Sequence, residues 1–143
     1  MKPIDPLKLS EVAMARVIGA FRSNALYKLL APFECGPFDG GCLIVARAVH
    51  SVFGGEMVAL HGANASINRA PLIPQHAAVR FGRMIFDARG LQEGEAMCRF
   101  WETREHLSNV SIHPFMAGDL GNDAAMDEAT VLAVAAMIRK ALL

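Results

Sequence analysis

The chain has 143 residues, 53% apolar and 20% charged, with a formal net charge of zero. That balance excludes a disordered polar tail and the basic footprint of a nucleic-acid binder, and the length suits one domain with its own core. The most apolar run, Val131 to Ile138, is far shorter than the roughly 20 residues a membrane span needs, so no membrane partner is expected. Cys35, Cys42 and Cys98 form no CxxC pair, and Met1 to Ser10 shows no apolar signal core. Both features fit a reducing compartment, so the expected location is cytoplasmic, with delivery into a host or target cell as the variant of that reading.

From Leu7 to Leu30, Leu9, Val12, Ala13, Val17 and Ala20 recur mostly at helical spacing, which predicts one helix or two abutting helices. Ser10 is the expected N-cap, Asn24 the expected break, and Ala31-Pro32 the end, because a proline disfavours helical backbone in the residue before it. Phe33 to Gly41 then reads as a loop. It delivers Cys42 to Phe53, in which positions 42, 45, 46, 49, 52 and 53 share an apolar face and Arg47, His50 and Ser51 lie opposite. This predicts a half-buried helix with Cys42 in its first turn, capped by Asp39 or Gly40 and ended by Gly54-Gly55.

Glu56 to His61 reads as a strand and Gly62 to Pro74 as a long loop of the kind that often carries function. A two-residue turn at Gly82-Arg83 then sets Phe81 opposite Met84, Val79 opposite Phe86 and Ala78 opposite Asp87. In that register Ala77, Val79, Phe81, Met84, Phe86 and Ala88 form the core face. His76 and Asp87 become diagonal neighbours on the other, less buried face. A three-residue turn would separate them. Gln92 to Leu107 is predicted to be an amphipathic helix, Val110 to Pro114 a short strand, and Asn122 or Asp123 the start of a long helix to Leu142.

The residues themselves point to thiol chemistry. A cysteine in the first turn of a helix has its thiolate favoured by the open backbone N–H groups and the dipole. An imidazole beside it takes the proton and returns it to a leaving group, and a carboxylate on the far nitrogen fixes the ring's tautomer. Cys42, His76 and Asp87 have the residue types and placement for those roles. Each has a plainer reading alone: a small core residue, a surface histidine, a turn aspartate. Cys35 is read as a bystander or a resolving thiol, and Cys98, Phe100 and Trp101 as packing residues. A zinc site from Cys35, Cys42, His50, His61 and His76 lacks the close ligand pairs of structural zinc, so no metal or organic cofactor is expected.

Gly40-Gly41-Cys42 opening a helix, His76 at a strand start and Asp87 at the end of the next strand resemble the papain-like cysteine hydrolase superfamily in its broad sense. The Cys, His, Asp order is that of transglutaminase-like hydrolases and arylamine N-acetyltransferases, and the likeness covers Phe38 to Gly90. It implies an α+β fold, a papain-like core in which the Cys42 helix packs on a small antiparallel sheet of three or four strands, with flanking helices. It also implies Cys42 as nucleophile, His76 as base and Asp87 as its orienting group. Papain-type peptidases place a glutamine ahead of the cysteine as oxyanion donor, whereas this chain has Cys35-Gly36-Pro37 there. The Cys42 N–H, Gly41 and the Gln75 side chain are the remaining candidates. The expected function is a protease, deamidase or related acyl transferase acting on a protein, peptide or small amide or acyl substrate, with homodimerisation through the C-terminal helix as an option. The competing expectation is a catalytically inactive scaffold that binds or inhibits a partner, such as a phage or mobile-element factor.

Overall fold

The structure is a computed structural model and describes residues 2–37, 41–64, 73–116 and 127–143. The first helical stretch divides into α1 (Glu11–Phe21) and α2 (Asn24–Leu30). Ser10 accepts from the Ala13 N–H and Ser23 from the Leu26 N–H, so each helix start has a side-chain partner for one of its open donors. The chain leaves α2 through a 3-10 turn at Ala31–Phe33 that accommodates Pro32.

α3 (Cys42–Phe53) has the bounds expected, with Gly41 as N-cap. The alternative caps Asp39 and Gly40 lie outside the described residues. The helix is buried beyond the expected half, since Leu43, Ile44 and Ala48 are covered as well as the predicted stripe. The sheet packs on it, and so does α5 (Glu128–Ala141), which Asp127 caps. Arg47 faces outward and pairs with Glu128 at the start of α5. The Asn122 or Asp123 start proposed for that last helix falls outside the described residues.

The strands are β1 (Glu56–Asn64), β2 (Ile73–Phe81), β3 (Met84–Asp87), β4 (Gly90–Glu93) and β5 (Leu107–Pro114), in the antiparallel order β4-β3-β2-β1-β5. The hairpin register is the predicted one, with Phe81 opposite Met84 and Val79 opposite Phe86. Ala77, Val79, Phe86 and Ala88 enter the core shared with α3, where Phe86 stacks on Phe53 at 5.2 Å and meets Phe21 edge-on. With α4 (Gly94–Glu105), the described residues hold five α-helices and a five-stranded sheet, an α+β architecture.

Two expectations are corrected. The sheet has five strands instead of three or four, because Gly90, at φ +103, turns the chain back along β3 so that Asp87 pairs with Gly90 and Met84 with Glu93. The His76 face is also covered over His76, Ala78, Ile85 and Asp87. Met97 and Trp101 of α4 pack on Val58, Leu60, Ala78 and Ile85 there, forming a second core on the face expected to be the wetter one. No helix among the described residues is long and apolar enough to cross a membrane.

Candidate active site

Gly36 and Gly41 meet directly ahead of α3. The Gly41 N–H donates to the Gly36 carbonyl at 2.9 Å, and the Gly41 carbonyl accepts from Val45 at 3.1 Å. A side-chain carbon on Gly41 would lie 2.5 Å from the Gly36 oxygen and 3.0 Å from Leu30 Cδ1. Gly41→Ala is therefore expected to destabilise the protein by about 1–3 kcal/mol through overpacking, read by chemical denaturation. A denaturation midpoint equal to wild type would show that the loop yields freely. Gly41 thus serves by lacking a side chain, and its N–H, a candidate oxyanion donor in the sequence, is occupied by Gly36.

The hairpin brings the second residue to Cys42. Alternation along β2 points the N–H groups of Phe81, Val79 and Ala77 toward β3. β3 turns away at Asp87 to pair with Gly90, and the Ala77 N–H donates to Cys42 Sγ instead. The Leu43 N–H and the His76 imidazole also act on the sulfur, both favouring its charged form. His76 Nε2 lies 2.9 Å from Asp87 Oδ2, which leaves Nδ1 as the ring nitrogen for the sulfur. Cys42, His76 and Asp87 are 5%, 1% and 2% exposed, so their interactions act in a medium that screens them weakly.

Burial opposes the charged form of both members of the pair. It pushes the Cys42 thiol up, yet the hydrogen bond and charge of His76, with the Ala77 and Leu43 N–H groups, outweigh it and hold the thiol below its ordinary value. Burial likewise pulls His76 down, but hydrogen bonds to Asp87 and Cys42 and their charges push it up to about 9. Both shifts run in the direction that favours a thiolate beside an imidazolium. Cys98 moves oppositely: burial and Glu102 raise its thiol despite Arg99.

Asp87 is the turn residue of its plain reading, and the same carboxylate also meets His76. Oδ1 accepts from the Arg89 N–H at 2.8 Å, the mark of an Asx turn, and from Gln92 Nε2 at 3.0 Å, while Oδ2 serves His76. Trp101 stacks on the His76 ring at 4.4 Å and 29°, with Phe100 edge-on behind it at 6.0 Å. The sequence reading has Trp101 as packing and gives Gln92 no role. A bulky aromatic on an amphipathic helix was the one available hint for Trp101. Gln92 had none, because its strand shows no alternation.

The other sequence candidates separate from this site. Gln75 lies on β2, with its side chain outside the described residues, as are 38–40 and 65–72 of the loops that precede α3 and β2. Cys35 Sγ reaches the Leu30 carbonyl at 3.8 Å, His50 is exposed beside the Gly54 carbonyl, and His61 lies against His113 with ring centres 4.6 Å apart. Among the described residues no three His, Cys, Asp or Glu side chains converge as metal ligands. A cleft of about 680 Å³ opens between α4 and the β2–β3 turn, lined by Arg83, Glu93, Cys98 and Arg99 among others. None of its lining residues belongs to the triad, so its size says nothing of the chemistry.

Fold and site together define an α+β protein with a buried Cys–His–Asp array. No family model, curated protein or solved structure matches this chain.

Proposed function

We propose that the protein is a cysteine-dependent hydrolase, or a related acyl transferase, acting on an amide or acyl bond from a papain-like core. The observation that carries this reading is the continuous buried contact from Cys42 through His76 to Asp87, since geometry and roles identify such a site. The Cys42 thiolate attacks the carbonyl carbon, and the resulting oxyanion is met by the Cys42 N–H at the start of α3. Collapse breaks the bond to the leaving amine or alkoxide, which takes the proton of the His76 imidazolium. Water then attacks the thioester, gives its proton to His76 and expels the thiolate; in a transferase an acceptor amine or hydroxyl replaces the water. Asp87 holds the far N–H of the ring throughout, keeping Nδ1 toward the sulfur. A protein, a peptide, or a small amide or acyl compound serves as substrate.

Exposure to an activated acetate ester, followed by acid quenching and peptide mass spectrometry, tests this. One acetyl group is expected on Cys42, absent in Cys42→Ala and much slower to form in His76→Ala. Equal acetylation of Cys35 and Cys98, or acetylation of Cys42 that ignores His76, sinks the reading. One observation favours a second reading: the small exposure of Cys42 and His76 suits an inactive scaffold that binds a partner, such as a phage or mobile-element factor blocking a host complex. Full biological function retained in Cys42→Ala would favour it.

A further inference from the structure

We propose that Arg89 and Gln92 form a positioning device for the His76–Asp87 pair, an assignment that rests on the reading of Cys42 as nucleophile. The device starts from an amide whose orientation is decided by chemistry. Arg89 Nη1 donates to Gln92 Oε1 at 3.0 Å, and a guanidinium has donors only, so the amide oxygen faces Arg89. The NH2 group is thereby directed at Asp87 Oδ1, 3.0 Å away, where it joins the Arg89 backbone N–H at 2.8 Å. Two donors on Oδ1 set the carboxylate plane and present Oδ2 to His76 Nε2 at 2.9 Å.

The same guanidinium acts on the other support of the imidazole. Its central carbon lies 3.3 Å from the centre of the Phe100 ring, and Phe100 abuts Trp101, the residue stacked on His76. One side chain therefore braces the carboxylate through Gln92 and the ring face through α4. The β3–β4 register makes this possible: Gln92 pairs with Ile85, diagonal to Asp87 on the same face. The titratable groups acting on His76 are Asp87 from β3 and Cys42 from α3. α4 presents the uncharged indole, with Arg104 5.7 Å from the indole centre.

Iodoacetamide labelling of Cys42 across pH, in wild type, Arg89→Met, Gln92→Leu and the double variant, tests the device without needing a substrate. Each single substitution is expected to slow labelling near neutral pH by roughly tenfold, and the double variant no further than the slower single, because the residues act as one unit. The acid limb of the labelling profile moves to higher pH in all three, as a less well held imidazolium supports the thiolate less. Arg89→Lys is expected to behave like Arg89→Met, since an ammonium keeps the charge but not the flat fork. Four outcomes overturn the inference: an unmoved acid limb in both singles, effects that multiply, rescue by lysine, or a lowered denaturation midpoint with an unmoved limb, which marks a purely structural role. Failure of the nucleophile reading is distinct, because wild type itself would then lack a His76-dependent low-pH limb.

Discussion

Iodoacetamide alkylates Cys42 ahead of Cys35 and Cys98 well below the free-thiol value of about 8.5, and His76→Ala abolishes the preference. This is the expected result with the largest effect. Two pH units below its pKa a free thiol is about 1% ionised, so full ionisation is worth roughly a hundredfold, less the lower intrinsic nucleophilicity of an acidic thiolate. Cys98 is disfavoured because burial and Glu102 raise its thiol. The two arms of the pH profile separate the roles of the pair. On the acid side both alkylation and turnover fall as Cys42 takes up its proton. On the alkaline side turnover falls as pH passes about 9, where His76 loses the proton it gives to the leaving group, whereas alkylation needs no acid and persists. Equal labelling of Cys42 and Cys98 at neutral pH would remove the ion pair from consideration.

Asp87→Ala is expected to cost about 3–5 kcal/mol in chemical denaturation, because it leaves a buried, polarised imidazole without its partner. Asp87→Asn keeps the volume and an acceptor for the Arg89 N–H, so it should cost far less while shifting the labelling profile of Cys42 to higher pH. A cost of under about 1 kcal/mol for the alanine variant would place Asp87 among ordinary surface turn residues. Linkage gives the same pair a recognisable pH signature. The folded pKa of His76 is raised, so its contribution is full below 6.5 and is lost as pH rises through about 9. The folded pKa of Cys42 is lowered, so its contribution is full above the free-thiol value and is lost as pH falls through the folded value. Where the windows overlap the slopes cancel and stability is flat. Cys42→Ala removes the rising half together with two of the causes that raise His76, so the decline above 6.5 that remains is the part Asp87 supports.

How much was readable along the chain follows from how local each signal is. The bounds of α3, the Ser10 cap and the Gly82-Arg83 register depend on neighbouring residues, and all three are present in the structure. The register in turn put His76 and Asp87 within reach, because side chains on a strand alternate with a period of two. The burial of their face was not readable. It depends on α4 crossing the sheet, and the helical spacing of Met97 and Trp101 specifies an apolar stripe without naming the surface that covers it.

The sequence by itself determined the α+β composition, the helix that starts at Cys42, and the hairpin that carries the histidine and the aspartate on one face. Each rests on periodicity, capping or turn chemistry within a few residues. Tertiary structure alone decided what surrounds those groups. The reversal at Gly90 folds β4 back so that Gln92 and Arg89 reach Asp87, and α4 lays Trp101 on His76. The end of β3 at Asp87 frees the Ala77 N–H for the sulfur. These are contacts between segments whose own patterns carry no record of the partner, and the free energy that holds them is the burial of two apolar faces on one sheet.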